Sequence, residues 1–338
     1  MILIGNSPSS GSTFLANILD STPYSACGSE LNLFSNKNLF DFDNYKKDKF
    51  KFSTTYNVYR LFTRIYTHKF SYYGLTLSDY EKLINESKNL NEFIEKFENY
   101  YLSLRGKNNN AIMFEKTPEN LNTIGEFLNL NENNYFIYIV RNPIYVYKSL
   151  LNRGFSTYMA FSAWLIDVAK ILKFKNNPRV ISIKYEELIQ DPYLAIKSIF
   201  KIINREFIVT KEEFEHLYAN NRYRLLSGNS IQSWSVKEYG IVQNANKGLN
   251  KDIITSFSNF ANAKINPKYA KKFNLKNITF IDALNEFGYS NDIKFQEENV
   301  TFKREFKDTK RLLHKLYYDF KAGFSSIKDI DCYLNPII

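Results

Sequence analysis

Three groups of residues in this 338-residue chain have the types and spacing for anion chemistry. The first is the turn Gly5-Asn6-Ser7-Pro8-Ser9-Ser10-Gly11-Ser12-Thr13, which follows the apolar run Ile2-Leu3-Ile4 and opens a helical pattern at Phe14. A short strand feeding a small, hydroxyl-rich turn into a helix aims backbone N–H groups and the positive end of the helix dipole at one point, which makes a cradle for phosphate or sulfate. The second is Lys116, at the end of the apolar stretch from Ala111 to Phe114 and just before Thr117-Pro118, where Thr117 can cap a helix with Pro118 in its first turn. The third is Arg141, fixed at the tip of the apolar run from Tyr135 to Val140. Asn142-Pro143 follows it to start a helix, and Ser149 comes eight residues on. An Arg offers a planar fork of donors to phosphate and the Ser hydroxyl adds a neutral one. Short Gly/Ser turns also join strands to helices without binding anything, so the loop gains its weight from the other two groups.

The nucleotide-binding loop G-x-x-x-x-G-K-[ST] needs a Lys after its second Gly. Here Gly5 and Gly11 are one residue too far apart and Ser12 stands where that Lys would be. The segment instead reads P-x-x-G-[ST]-T, followed by Leu19-Asp20-Ser21-Thr22-Pro23 and Gly28-Ser29-Glu30. With Lys116-Thr117-Pro118, Arg141-Asn142-Pro143 and Lys184-Tyr185-Glu186-Glu187-Leu188, this order resembles the sulfotransferases that use 3′-phosphoadenosine 5′-phosphosulfate (PAPS), in the branch of the tyrosylprotein and carbohydrate enzymes. The resemblance covers about residues 1 to 290. It implies a P-loop-like parallel sheet and a donor whose phosphosulfate lies on Ser9, Ser10, Gly11, Ser12 and Thr13. Its 3′-phosphate is then held by Arg141 and Ser149, Tyr185 packs near the adenosine, and Lys247 and Gly248 lie in a basic loop closing over the nucleotide. Glu30 would be the general base and Lys116 would neutralise charge at the transferred group, with no metal. The 21-residue step from Ser9 to Glu30 matches the step from the family's basic loop residue to its catalytic Glu. The departure is Ser9 itself, where that family carries Lys or Arg. Losing such a donor costs about two to three orders of magnitude in rate. Either Lys116 or another cation takes that role, or the chain is a slow or inactive homologue. A small-molecule kinase with a variant loop and a degenerate PAPS-binding protein therefore stay open as alternatives.

Composition adds exclusions. Lys and Arg outnumber Asp and Glu by 45 to 35, a net charge of +10 that is spread along the chain, which suits anionic ligands and does not single out nucleic acid. The only cysteines are Cys27 and Cys332, and His68, His216 and His314 stand apart, so neither a disulfide framework nor a metal site is expected. No apolar run nears the roughly 20 residues that span a bilayer, and no basic leader precedes the first strand, so the expectation is a cytoplasmic protein. The acceptor would bear a hydroxyl (or an amine), with a carbohydrate or glycoconjugate favoured over a peptide tyrosine or a small metabolite.

The elements that must position these residues are strands over 2–5, 111–114, 136–140 and 180–183 alternating with helices, hence a parallel sheet covered on both faces. Residues 35–110 lack such runs and read as a helical insertion near the acceptor site. Within it a capping box at Ser78-Asp79-Tyr80-Glu81 opens one helix and Asn91–Leu104 forms another. A second capping box, Thr210 to Glu213, opens a later helix. Beyond about residue 291 a helical extension carries the stripe Leu312, Leu313, Leu316, Tyr317 and Phe320, which could dock on the domain or form a homodimer.

Overall fold

The computed structural model describes residues 1–47, 56, 57, 67–108, 110–219, 249, 251–258, 260–290 and 306–338. Its centre is a five-stranded, all-parallel sheet of β1 (Ile2–Asn6), β2 (Ser25–Cys27), β3 (Ile112–Lys116), β4 (Tyr135–Val140) and β5 (Val180–Lys184), in the order β2-β3-β1-β4-β5. The chain runs from β1 to β2 on one side, and from β4 to β5 on the other. The carboxyl ends of β1 and β4 therefore flank the crevice where ligands of such sheets sit.

The strands are continuously apolar because both faces are covered. Leu3, Met113, Phe136, Tyr138 and Val140 point into one core cluster, and Ile2, Ile4, Phe114, Ile137, Ile139, Ile181 and Ile183 into the other. The second cluster is closed by α1 (Ser12–Ser21), α8 (Tyr185–Gln190), α9 (Pro192–Ile202) and α10 (Lys211–Ala219), through Leu15, Leu19, Leu188, Ile196, Ile199 and Phe214. The first is closed by α5 (Ile124–Leu130), α6 (Pro143–Asn152), α7 (Thr157–Leu172), α11 (Lys251–Ser258), α12 (Pro267–Lys272) and α13 (Phe280–Glu286), together with the insertion.

The insertion contains α2 (Phe42–Lys47), α3 (Leu77–Glu86) and α4 (Leu90–Leu104). The α3 capping box is set two residues earlier than expected: Thr76 and Asp79 cap each other, because Ser78 already lies inside the first turn. On α4, Phe93, Phe97 and Tyr101 are core residues, as a stripe at helical spacing suggests. The box at Thr210 and Glu213 forms as expected.

The extension docks on the domain through α14 (Phe306–Lys321) and α15 (Ile330–Leu334). Leu312 and Ile337 enter the first core cluster, the Asn38 Nδ2 donates to the Lys321 carbonyl at 2.8 Å, and the Tyr158 hydroxyl donates to the Ile337 carbonyl at 3.3 Å. Only part of the predicted stripe is used, since Leu313, Tyr317 and Phe320 face outward and are 40–52% exposed.

A buried charge cluster joins the insertion to α1. Asp20, near the end of α1, is paired with Arg105 and accepts from the Cys27 N–H at 3.2 Å, while the Lys107 ammonium donates to the carbonyls of Asp20 and Thr22 at 2.6 and 2.8 Å. Burial raises the Asp20 carboxyl above its ordinary value, against the pull of Lys107 and Arg105. Removing one member strands buried charge. Asp20→Ala is expected to destabilise the fold by about 3–5 kcal/mol, read as a lowered urea midpoint at unchanged slope. A loss below about 1 kcal/mol would mean that the cluster is solvated.

Candidate active site

The loop after β1 turns through two left-handed residues, Ser9 at φ 67° and Gly11 at φ 96°. Gly11 is needed twice over: left-handed backbone disfavours a side chain, and a Cβ there would lie inside the Tyr185 ring. As the N-cap of α1 it offers no capping side chain, so the first-turn N–H groups at Ser12 and Thr13 have no acceptor within the helix.

Arg141 leaves the tip of β4 and folds back over this loop. Its Nη1 donates to the Ser9 carbonyl at 3.0 Å, and its guanidinium lies 4.6 Å from the centre of the Tyr185 ring. The turn that carries it is braced: the Asn142 side chain caps α6 by accepting from the Ile144 N–H, and the Asn142 N–H donates to Glu186 at 3.0 Å. The other Glu186 oxygen accepts from the Tyr289 hydroxyl at 2.8 Å. Ser149 is half-buried two turns along α6, and its hydroxyl makes no hydrogen bond among the described residues. Among the described residues, the Ser10 hydroxyl and the Arg141 Nε are buried without a partner. Unmet buried polar groups cost about 1–3 kcal/mol each. The donor set of N–H, hydroxyl and guanidinium groups suits the oxygens of phosphate and sulfate.

The second half of the site is built on β3. Lys116 and Glu30 form an ion pair, Nζ to Oε1 at 3.0 Å, with the lysine almost wholly buried and Glu30 partly open. The preceding residue positions both. Glu115 is fully buried and accepts from the Leu31 N–H at 3.0 Å, the Thr117 hydroxyl at 2.7 Å and the Asn120 amide at 2.7 Å. The Thr117 hydroxyl also accepts from the Asn32 N–H at 3.1 Å, so residues 31 and 32 hang on the end of β3. Thr117 is thereby drawn away from the expected capping role; its side chain makes no cap, and Pro118–Asn122 is a short 3-10 turn ahead of α5. From the insertion, the Tyr73 hydroxyl donates to the Ser29 carbonyl at 2.6 Å and the Lys69 ammonium donates to the Asn32 side chain. Burial lowers the Lys69 amine from its ordinary value, with the Glu30 carboxylate nearby working the other way.

Ser9, Ser10, Gly11, Ser12, Thr13, Lys116, Arg141 and Tyr185 thus sit at the carboxyl ends of the strands, Glu30 is brought there by Lys116, and Ser149 stands two turns along α6, while Lys247 and Gly248 lie outside the described residues. A cleft of about 600 Å³ lined by β5, α8 and α9 holds none of them. No group of metal-ligating side chains occurs among the described residues, and no helix there is long and apolar enough to cross a membrane.

The sulfotransferase family matches residues 2–208, and the chain belongs to that family, whose enzymes take the sulfuryl group from PAPS. That sets aside the kinase alternative. The sulfotransferase domain from the curacin biosynthetic pathway is 21% identical over 64% of this chain and 77% of its own, with a TM-score of 0.44. Mouse sulfotransferase SULT7A1, in complex with adenosine 3′,5′-bisphosphate (PAP), is 15% identical over 86% of both chains, with a TM-score of 0.38. The sulfotransferase STF9 of Mycobacterium avium is 12% identical over 64% of this chain and 66% of its own, with a TM-score of 0.35. No curated protein matches by sequence.

Sequence reasoning missed Glu115, and also Arg153, whose Nη1 donates to the Ser9 Oγ at 3.1 Å. The signal for Glu115 was available, because a carboxylate inside an apolar strand must be satisfied there. Glu115→Ala leaves three buried donors unmet at about 1–3 kcal/mol each. Faster exchange of the Leu31 amide and a lowered unfolding midpoint are expected, and an unchanged Leu31 amide would contradict the brace.

Proposed function

We propose that this chain transfers the sulfuryl group of PAPS to a hydroxyl, or an amine, of an acceptor, with Glu30 as general base. The observation that carries the base assignment is the Lys116–Glu30 pair at 3.0 Å, on the same sheet edge as the anion loop. The loop N–H groups bind the phosphosulfate, and Arg141 with the Ser149 hydroxyl takes the 3′-phosphate. Tyr185, whose ring already carries Arg141, gives the adenosine a surface. Lys247 and Gly248 complete the reading as a loop over the nucleotide.

In the transfer the acceptor oxygen attacks sulfur in line, and its proton passes to Glu30. The bond from sulfur to the bridging oxygen breaks, and its electron pair leaves on the 5′-phosphate of adenosine 3′,5′-bisphosphate. Holding the two reactants together is most of what the site does, as is usual for such transfers. Lys116 and the loop donors offset charge growing on the sulfuryl and bridging oxygens. The acceptor lies on the Glu30 side, next to the insertion, whose partly exposed Lys69 donates to Asn32 there. A sugar or glycoconjugate hydroxyl fits such polar surroundings.

Screening hydroxyl acceptors with labelled PAPS tests this. With an active acceptor, Glu30→Gln is expected to lower kcat about 10²- to 10⁴-fold while donor affinity stays within a few-fold. A Glu30→Gln variant that turns over at the normal rate would remove Glu30 from the chemistry.

A further inference from the structure

The helix α14 sorts its charges by face. Its two acids, Asp308 and Asp319, are buried against the domain, and Asp319 accepts from the Lys315 ammonium at 2.6 Å and from the Tyr333 hydroxyl at 2.8 Å. The outer face runs Lys310, Leu313, His314, Tyr317 and Phe320, all exposed, with the half-buried Lys321 at its end. Steps of three and four residues set these on one side of the helix. Lys37 adds an exposed cation beside that end, because its N–H donates to the Ala322 carbonyl at 2.9 Å. Elsewhere in residues 306–338, Asp329 is paired with Lys272 at 2.8 Å, and Asp331, on α15, is exposed. The face is thus a seam of apolar and aromatic side chains between cations.

Charge complementarity selects what covers it. Apolar side chains gathered at the surface mark an interaction site, and cations at both ends of the seam call for an anionic partner. A bilayer with anionic headgroups meets both demands: aromatic and leucine side chains enter the headgroup boundary, and lysine ammoniums lie against the phosphates. A second copy of this chain fits poorly, because a two-fold axis across the seam brings the Lys310 end of one helix against the Lys321 end of the other. We propose that the outer face of α14 docks on a membrane surface carrying anionic lipids. The helix stays fixed to the domain through Leu312 and Leu316, while Leu313, Tyr317 and Phe320 enter the interface. It lies in the plane of the membrane and does not cross it. The inference stands independently of the reaction proposed above.

Flotation of the full chain with vesicles of phosphatidylcholine alone, and of phosphatidylcholine with about 30% phosphatidylglycerol, tests this. Partitioning onto the anionic vesicles is expected to exceed that onto the neutral ones at least about 30-fold, and to fall as salt is raised from about 0.1 M to about 0.5 M. Lys310→Gln with Lys321→Gln is expected to weaken binding about 10- to 30-fold. Leu313→Ser with Phe320→Ser is expected to weaken it by about 10-fold or more, with the unfolding midpoint kept, since both side chains are exposed. Equal binding to the two kinds of vesicle, binding to neither, or normal binding by either double variant would overturn the proposal. So would a dimer in sedimentation velocity that Leu313→Ser with Phe320→Ser dissociates, because a second copy would then cover the face.

Discussion

The Tyr185 ring is the contact on which the loop side of the candidate site depends. It starts α8 at the end of β5, fills the space beside Gly11 at the end of β1, and carries the Arg141 guanidinium that leaves β4. Three strand ends are thus locked by one aromatic ring. Gly11 has no side chain because the ring takes its place, and Arg141 rests with its guanidinium 4.6 Å from the centre of the same ring. That stacking positions a cation over the loop without neutralising it, as a carboxylate partner would. Glu186, next in the chain, fixes the backbone of the same turn from below through the Asn142 N–H.

The Glu30 side of the candidate site is held by a different device. Glu115 satisfies three donors, one from Leu31 and two from the turn after β3, and so turns the end of β3 into an anchor for residues 30–32. Burial raises its carboxyl above the ordinary value, and the hydrogen bonds from Thr117, Asn120 and Leu31 work against that rise. The insertion then presses Tyr73 and Lys69 onto the same segment. Glu30 therefore faces Lys116 from a loop whose backbone has little freedom to move.

Much of this was legible in the sequence. Four of the strands, the loop, Lys116, Arg141 with its capping Asn142, and the order of the motifs follow from apolar runs ended by Gly, Pro and cap residues. The strand β2 was not visible, because Ser25-Ala26-Cys27 is short and carries no β-branched residue; it exists only because β3 pairs with it. Thr117 was read as a cap from its place before Pro118, and tertiary hydrogen bonds from Asn32 and to Glu115 won over that local role. The partial use of the α14 stripe had the same origin, since spacing marks an apolar face and cannot say how wide the docking surface is. Arg153 lies in no motif, and its contact with Ser9 spans 144 residues of sequence, which no local pattern reports.

The central claim is that the loop and Arg141 together hold a nucleotide carrying a 3′-phosphate. Calorimetric titration of the purified chain with adenosine 3′,5′-bisphosphate, against ATP with magnesium, tests it most directly when repeated on Arg141→Ala. Micromolar binding of the bisphosphate that weakens about 10- to 100-fold in the variant is the expected result. ATP binding as tightly as the bisphosphate, with no effect of Arg141→Ala, would contradict it.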